Sequence, residues 1–445
     1  MPSLSQTSST PTLAAGLSIT YVAIDSLCPY PRNARTHSKH QVRQIAASIK
    51  NFGFTNPVLT DNSNTIIAGH GRVAAAKLLG MTEVPTIRLD SLTPDQIRAY
   101  IIADNRLAEK AGWDKEILSI ELQHLMTIDD FDVTITGFEI PEIDLLLQEP
   151  GEEEDAAEQT EADLKGPLVT RLGDLWKLGK HRVLCGSALE EQSFQVLLGK
   201  RRAKAVFIDP PYNVKIEGNV CGKGAIHHRE FAMATGEMSE SEFTAFLRSS
   251  FRLLARYSTE GSLHYVYMDW RHMRELLAAS CETYDDLLNL CVWAKDNGGM
   301  GSLYRSQHEL IFVFRSGKGR HQNNVQLGKY GRNRTNVWHY PGVNTLSKQG
   351  EEGNLLALHP TVKPVALVAD ALLDCSARGD VVLDTFIGSG TTLLASERVG
   401  RVCHGVELDP GYVDTTIRRW QRYTGGNAID AKTGEIFKDR EVQCG

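Results

Sequence analysis

The chain has 445 residues and a formal net charge of −7 at pH 7, with 42% hydrophobic and 23% charged residues. This length exceeds one ordinary hydrophobic core, so two or three domains are expected. No apolar run reaches the roughly 18 residues of a membrane helix, and the polar, Ser/Thr-rich start lacks a secretory pattern. We interpret residues 1–15 as a disordered tail. Eight cysteines without a C-x-x-C pair favour a metal-free protein of a reducing cytoplasm.

The pattern of residues 16–148 predicts a small α+β domain. Strands are expected at 19–27, 57–60 and 65–68, and a helix at 38–51. A second helix follows a glycine-rich start, where helix amide groups and basic side chains would form a cradle for phosphate or DNA. The residues predicted to form this cradle are Gly69, His70, Gly71 and Arg72.

The order of these elements resembles that of ParB-like domains, whose G-x-x-R box binds nucleotide phosphates. Residues 103–106 resemble their second box, with Asp104 in place of Glu and with Arg106 following at once. The resemblance implies either a nucleotide at residues 69–72 or a fold used only for DNA contact or dimerisation. A homodimer is therefore a further expectation.

The negative charge is concentrated between residues 149 and 163, which contain eight acidic residues and no basic ones. The remainder of the chain carries a formal charge of +1. An acidic segment without aromatic residues is typical of a disordered linker. We therefore predict a linker at 149–164, a larger domain at 165–425 and a C-terminal tail at 426–445.

Asp209, Pro210, Pro211 and Tyr212 follow an apolar run that predicts a buried strand. The Asp209 carboxylate and the Pro210 carbonyl can accept hydrogen bonds from an amino group, and the prolines fix the backbone that aims them. Tyr212 offers a flat face on which a flipped base can stack. A strand with a proline-rich turn is the alternative. The four residues form a D-P-P-Y motif and resemble the catalytic motif of the DNA amino-methyltransferases, which methylate adenine or cytosine.

Residues 381–407 predict a strand, a tight glycine loop, a helix and a second strand that ends in an acid. Glycines let the loop turn sharply and approach a ligand, and the acid is placed to accept hydrogen bonds from ribose hydroxyls. An NAD site is disfavoured because Leu393 replaces the third glycine of G-x-G-x-x-G. The loop resembles the F-x-G-x-G-T-T segment that holds S-adenosylmethionine in the same methyltransferases. The resemblance implies cofactor contacts by Asp384, Phe386, Gly388, Gly390, Thr391, Thr392 and Glu407.

The acceptor motif precedes the cofactor motif, as in the permuted β-type of these methyltransferases. Residues 359–364 resemble the H-P-T-x-K-P element of that group, which implies that Thr361 and Lys363 contact the cofactor carboxylate. Ser187 stands where the family has an acid that meets the cofactor adenine, so its hydrogen bond would be weaker. The resemblance covers residues 165 to about 423 and implies an α/β, Rossmann-like methyltransferase fold.

Seven basic residues and no acid occur between residues 310 and 350, interspersed with Asn and Gln. Cations suit phosphates, while Arg, Asn and Gln can read base edges. We interpret residues 315–350 as the target-recognition segment that the permuted family has at this place; a solvated basic loop is the alternative. Residues 213–239 are a second candidate for DNA contact, and 304–309 resemble an element of the flipped-base pocket. DNA contacts are predicted for Arg315, Lys318, Arg320, Lys329, Arg332 and Arg334.

Together these features predict a site-specific DNA methyltransferase that uses S-adenosylmethionine on double-stranded DNA. Asp209 favours adenine N6, and cytosine N4 is the alternative. Two other interpretations remain: methylation of RNA or a protein amide, and a ParB-like DNA-binding or nucleotide-switch protein with a degenerate methyltransferase half. The fused arrangement is similar to proteins of phages and prophages, which implies a solitary modification enzyme. No membrane partner is expected.

Overall fold

The computed structural model describes residues 17–126, 128, 131–147, 166–213, 236–296, 298, 304–325, 332–341 and 363–444. The chain divides into two compact units, Met1–Leu147 and Gln148–Gly445. The predicted tail at 1–15 and the predicted linker at 149–164 lie outside the described residues. Among the described helices, none combines the length and the apolar character that a membrane span needs.

The first unit is an α+β fold around a four-stranded sheet with the order β1-β4-β2-β3. Its strands are β1 (Ile19–Ala23), β2 (Val58–Thr60), β3 (Ile66–Ala68) and β4 (Glu83–Arg88). Its described helices are α1 (Lys39–Phe52), α2 (His70–Leu78), α3 (Pro94–Lys110), α4 (Lys115–Met126) and α5 (Ile140–Leu146). The strands predicted at 57–60 and 65–68 are present as β2 and β3, which pair in antiparallel fashion as a hairpin.

Local side-chain caps explain where the helices of this unit begin. The Ser38 side chain accepts a hydrogen bond from the Gln41 amide at the start of α1, as predicted for an N-cap serine. Thr93 and Gln96 form a reciprocal capping box at the start of α3. The predicted first strand was too long, because a short 3-10 helix at Ile24–Ser26 ends it.

The second unit is a three-layer α/β fold around a ten-stranded sheet with the order β11-β9-β10-β8-β7-β12-β13-β6-β5-β14. Its strands are β5 (Leu175–Leu178), β6 (His181–Cys185), β7 (Ala203–Ile208), β8 (Ser258–Met268), β9 (Asp286–Ala294), β10 (His308–Ser316), β11 (Val337–His339), β12 (Val381–Asp384), β13 (Val402–Glu407) and β14 (Ala428–Asp430). Its described helices are α6 (Glu191–Leu198), α7 (Glu240–Arg256), α8 (Met273–Ser280), α9 (Val365–Cys375), α10 (Thr391–Arg398), α11 (Pro410–Thr424) and α12 (Phe437–Cys444).

Both faces of this sheet are covered by helices. Apolar side chains of α6, α7 and α8 pack on one face, and those of α9, α10 and α11 pack on the other. The central strands β6, β7, β8, β12 and β13 are parallel to their neighbours in this group. Burial on both faces explains why these strands are nearly continuous apolar runs.

The parallel strands end at one edge of the sheet, which we call the carboxyl edge: Cys185, Ile208, Met268, Asp384 and Glu407 close their strands there. From β7 the chain continues to β8 on one side, and from β12 it continues to β13 on the other. The direction of winding therefore reverses between β7 and β12. In open α/β sheets a crevice forms outside the carboxyl ends at such a reversal, and ligands bind in it.

The predicted C-terminal tail at 426–445 was wrong for most of its length. Residues 428–430 form β14, which pairs with β5 and completes the sheet. Phe437 is fully buried, and its ring lies 5.2 Å from that of Trp176. Too few apolar residues occur here for the sequence pattern to indicate a structured element.

Candidate active site

Asp209 is the first residue after β7, so it lies at the carboxyl edge beside the reversal of the sheet. Its Oδ1 accepts a hydrogen bond from the Tyr212 hydroxyl at 2.5 Å, and its Oδ2 accepts one from Lys363 Nζ at 2.6 Å. Burial raises the pKa of Asp209 and Glu309 adds to the rise, while the Lys363 ammonium opposes it. Burial also raises the pKa of Tyr212 well above its usual range, so its hydroxyl stays protonated and can donate. Pro210, which follows Asp209 in the sequence, is buried, and Pro211, which precedes Tyr212, is half-buried.

The structure places Lys363 on the acceptor carboxylate, while its contact with the cofactor carboxylate stays a prediction. Its Nζ lies 2.6 Å from Asp209 Oδ2 and 3.1 Å from Glu309 Oε2, and its side chain is 5% exposed. The physical reason is that Lys363 directly precedes α9, which packs against β7. Thr361, the other predicted contact in this element, lies outside the described residues.

Glu309 and Tyr267 are further members of this site. Glu309 is the last residue of the 304–309 element that resembles part of the flipped-base pocket, whereas no sequence motif assigns a role to Tyr267. Glu309 Oε1 lies 2.5 Å from Lys295 Nζ. Burial alone would raise the pKa of Glu309, but Lys363 and Lys295 bring it down to about 2. Tyr267 is fully buried, and its hydroxyl has no hydrogen-bond partner in the described part of the chain. The sequence signal that could have identified Glu309 is the presence of an acid at the start of the apolar strand β10.

The predicted cofactor loop connects β12 to α10, next to Asp209. Glu407 Oε2 accepts a hydrogen bond from the Gly388 amide at 2.9 Å, and Oε1 accepts one from the Asp409 amide at 2.9 Å. Asp384 Oδ1 accepts one from the Phe386 amide at 3.0 Å. Burial raises the pKa of Asp384 to about 7, and it raises the pKa of Glu407 as well.

The chemistry of this loop fits S-adenosylmethionine, which carries hydroxyl groups and positive charge. Each carboxylate oxygen of Glu407 has a second lone pair, so it can also accept a bond from a ribose hydroxyl. Asp384 and Phe386 add an acceptor and an aromatic face. The backbone amide of Gly186, beside Ser187, binds the Glu407 carbonyl at 2.8 Å. The structure thus brings the predicted cofactor residues of β6, β12 and β13 to one edge, with Thr391 and Thr392 buried at the start of α10.

The absence of a side chain at Gly390 allows close packing against α11 and does not leave space for a ligand. A Cβ added there would lie 2.8 Å from Thr416 Cγ2, on α11. Its φ of +88° also lies in the left-handed region that favours glycine. Gly388, with a φ of +52°, provides the other left-handed turn and aims its amide at Glu407. The loop is therefore shaped by contact between α10 and α11.

The predicted DNA-binding residues do not share one surface. Because β10 is antiparallel to β8, its end at Ser316 lies opposite Ser262, at the edge away from Asp209. Arg315, which binds Asp286, and the exposed Lys318 and Arg320 therefore lie towards that far edge. Lys329 lies outside the described residues.

Arg332 and Arg334 hold the chain onto α9 instead of facing DNA. Arg332 is 6% exposed, and its Nη2 lies 2.8 Å from Asp374 Oδ1 and 3.2 Å from Asp370 Oδ1. Arg334 makes ion pairs of 3.0 Å with the same two acids. The predicted DNA contact is corrected for Arg332, since a buried guanidinium paired with two carboxylates cannot reach a phosphate. The sequence places both acids far along the chain, so no local pattern could reveal these pairs.

The first unit brings its two predicted boxes together. Gly69 precedes α2 with a φ of +107°, and a Cβ there would lie 3.1 Å from the Arg72 Nη2 atom. Arg72 Nη1 donates to the Asn56 carbonyl at 2.6 Å. Burial lowers the pKa of Arg72, and the nearby Asp104 of the second box opposes this effect. His70 Nε2 accepts from the Tyr30 amide at 3.2 Å, and a Cβ at Gly71 would lie 3.0 Å from the His37 ring.

Three protein families match successive parts of the chain. The ParB N-terminal domain matches residues 9–105, the ParB-methyltransferase HTH domain 116–172, and the DNA methylase family of the N6/N4 type 203–418. The chain therefore joins a DNA methylase domain of the N6/N4 type to a ParB N-terminal domain and a ParB-methyltransferase HTH domain. It is thus a DNA methyltransferase, and its cofactor is S-adenosylmethionine. The helix-turn-helix match includes α4 and α5, for which the sequence motifs predicted no function.

Two relatives each match a part of this methylase. The ParB-like nuclease domain-containing protein YnaK of Escherichia coli (strain K12) is 56% identical over 80 residues, which are 18% of this chain and 92% of that protein. The Type II methyltransferase M.ScaI of Streptomyces caespitosus is 35% identical over 95 residues. That match covers 21% of this chain and spans only 31% of the Streptomyces enzyme.

Two solved methyltransferase structures are similar to a part of this chain. The M1.HpyAVI–SAM complex has 19% identity and a TM-score of 0.40, and the match covers 53% of this chain and 97% of that one. The PvuII DNA methyltransferase, which is cytosine-N4-specific, has 16% identity and a TM-score of 0.41. Its match covers 63% of this chain and 95% of that chain.

Proposed function

We propose that this methylase transfers a methyl group to adenine N6 of a base flipped out of double-stranded DNA. The observation that carries the proposal is the position of the Asp209 carboxylate, which lies at the sheet reversal beside the Gly388–Glu407 loop. Tyr212 and Lys363 fix its two oxygens. The base must leave the duplex, because its amino group is otherwise paired and out of reach.

In this mechanism the enzyme makes a poor nucleophile reactive. The lone pair of an exocyclic amino group is delocalised into the base ring. Hydrogen bonds from its N–H groups to Asp209 and to the Pro210 carbonyl favour a pyramidal nitrogen, which localises the lone pair. Bound S-adenosylmethionine supplies the electrophilic methyl group. The carboxylate is preorganised to stabilise the positive charge that develops on the nitrogen, and it is the nearest acceptor for the released proton.

Nucleoside mass spectrometry of DNA modified by the purified protein tests this proposal. N6-methyladenine is the expected product, and N4-methylcytosine alone would reject adenine while leaving the role of Asp209 intact. Asp209→Ala should lower the transfer rate by at least about 100-fold, because the preorganised acceptor is lost. Binding of S-adenosylmethionine should be nearly unchanged in this variant. A variant with the rate of the wild type would reject the acceptor role.

We further propose a nucleotide site in the first unit, where one observation favours it. A cavity of about 390 Å³ is lined by Arg35, Arg98 and Arg106, together with Asn105 and Glu109. Such a set of guanidinium groups suits the phosphates of a nucleotide. Calorimetric titration with nucleoside triphosphates should show binding that Arg106→Ala abolishes, whereas Lys50→Ala, on the exposed end of α1, should bind like the wild type. Absence of binding would favour a unit used only for DNA contact or dimerisation.

A further inference from the structure

Four charged side chains alternate in sign around the acceptor carboxylate. They run from Asp209 to Lys363, then to Glu309 and then to Lys295, with N···O distances of 2.6, 3.1 and 2.5 Å. They come from four separate places in the fold: the end of β7, the start of α9, the start of β10 and the residue after β9. Lys363 is 5% exposed and Glu309 15% exposed, so water screens these pairs weakly.

Each member of this chain of charges has a physical consequence for Asp209. A carboxylate buried without a partner tends to become protonated, and a protonated Asp209 has lost the acceptor strength that the reaction needs. The Lys363 ammonium favours the ionised form and fixes one oxygen. A lone ammonium would also neutralise the negative charge that has to face the amino nitrogen. Glu309 shares the ammonium and reduces this neutralisation, while Lys295 holds Glu309 ionised.

We propose that Lys363 and Glu309 are positioning residues with complementary roles: Lys363 keeps the Asp209 carboxylate ionised and oriented, and Glu309, by sharing the ammonium, keeps that carboxylate strongly negative. This inference rests on the acceptor role proposed above for Asp209. It assigns Lys363 to the methyl-accepting side of the site, and it gives Glu309 a role in the rate of transfer rather than in cofactor binding.

The other groups that face Asp209 do not replace this pair. Tyr212 donates from the adjoining loop, Tyr267 of β8 is a neutral phenol whose pKa is raised by burial, and Asp384 of β12 is an acid. Among the described residues around Asp209, Lys363 is therefore the cation in direct contact with the carboxylate. Removing it leaves burial and Glu309 to raise the pKa of Asp209, against the weaker opposing effect of the hydrogen bond from Tyr212.

The test compares Lys363→Met, Lys363→Arg, Glu309→Gln and the double variant in the full-length protein. Transfer rates on DNA are measured against pH, and affinity for S-adenosylmethionine is measured separately. For Lys363→Met we expect the acid limb of the rate profile to move to higher pH by at least one unit, which is about a tenfold loss at a fixed pH on that limb. Activity should recover as the pH rises, and Lys363→Arg should restore most of the wild-type profile.

Glu309→Gln should lower the maximal rate by about tenfold, which corresponds to about 1.4 kcal/mol in the barrier. The affinity of this variant for S-adenosylmethionine should stay within about twofold of that of the wild type. The double variant should have an acid limb between those of Lys363→Met and the wild type, because both the stabilising and the opposing charge are gone.

Two outcomes would overturn the inference. Weaker cofactor binding by Lys363→Met with an unshifted pH profile would return Lys363 to the cofactor carboxylate. An equal loss of rate at every pH, without rescue by Lys363→Arg, would mean that the lysine only supports packing. If Asp209 is not the acceptor at all, Asp209→Ala will match the wild type in the same assay. That result separates failure of the proposed function from failure of the roles given to Lys363 and Glu309.

Discussion

Arg332 shows how burial changes the meaning of a basic residue. The sequence places it in an acid-free segment, where a DNA contact is the natural prediction. In the fold it is 6% exposed and binds Asp370 and Asp374 of α9. Breaking a buried ion pair leaves an uncompensated charge, which costs more than the pair itself contributes.

We therefore predict that Arg332→Ala reduces the free energy of unfolding by about 3 kcal/mol, because Asp370 and Asp374 lose the more deeply buried of their two guanidinium partners. Chemical denaturation measures this loss. Lys318→Ala is the matched control, since Lys318 is an exposed cation a short distance along the chain. Equal stability of the two variants would contradict the structural role given to Arg332.

Glu407 is the second residue whose role depends on its contacts. Glu407→Ala removes an acceptor for ribose hydroxyls and frees the Gly388 amide, so we expect affinity for S-adenosylmethionine to weaken by about 1–3 kcal/mol. Calorimetric titration of the folded variant measures the change. Glu435→Ala serves as the control, since Glu435 is a partly exposed acid next to β14, three strands away from β13 in the sheet. An unchanged affinity would mean that β13 does not border the cofactor.

At the scale of elements, the glycine loop depends on the contact between α10 and α11. Gly390→Ala should destabilise the protein by about 1–3 kcal/mol, because its left-handed backbone and the 2.8 Å approach to Thr416 act together. Gly425→Ala isolates the backbone effect: its φ is +71°, and nothing lies within 4 Å of an added Cβ. Thermal unfolding compares the two, and equal losses would show that the Thr416 contact is unimportant.

The elements that the sequence predicted well are those with local signals. The strands before Asp209 and before the glycine loop are continuous apolar runs, and the helix predicted from residue 38 begins with a cap from its own neighbouring residues. The antiparallel course of β10 could not be predicted, since strand direction is fixed by pairing with β8 and not by its own side chains. For the same reason the ion pair of Lys363 with Asp209 could not be predicted, because the two residues lie 154 positions apart in the sequence.

At the scale of the whole molecule, the second unit has its own core and its own sheet. The amides of Val169 and Thr170 donate to Asp414 of α11, at 2.8 and 3.0 Å, so the start of this unit is tied to its end. A fragment of residues 165–445 should therefore fold by itself.

We predict that this fragment binds S-adenosylmethionine and methylates short DNA, with weaker DNA affinity than the full chain because the ParB domains are absent. Circular dichroism, cofactor titration and a transfer assay test these three properties. A fragment that begins at residue 175 is the control, and it should unfold more readily because the bonds to Asp414 are lost. A folded, cofactor-binding 165–445 fragment without activity on any DNA would make the first unit part of the catalytic apparatus.

The pairing of β5 with β14 has a consequence for the synthesis of the protein. Leu175–Leu178 cannot acquire its edge partner until Ala428–Asp430 has been translated, and β7 must wait in the same way for β12. Contacts between such distant segments form late, because a long loop has to close first. A growing polypeptide on the ribosome therefore lacks the cofactor loop between β12 and α10 that lies next to the Asp209 carboxylate in the folded protein. Modification of DNA can begin only when translation is nearly finished, and a premature stop codon late in the message should give an inactive product rather than a weakened one.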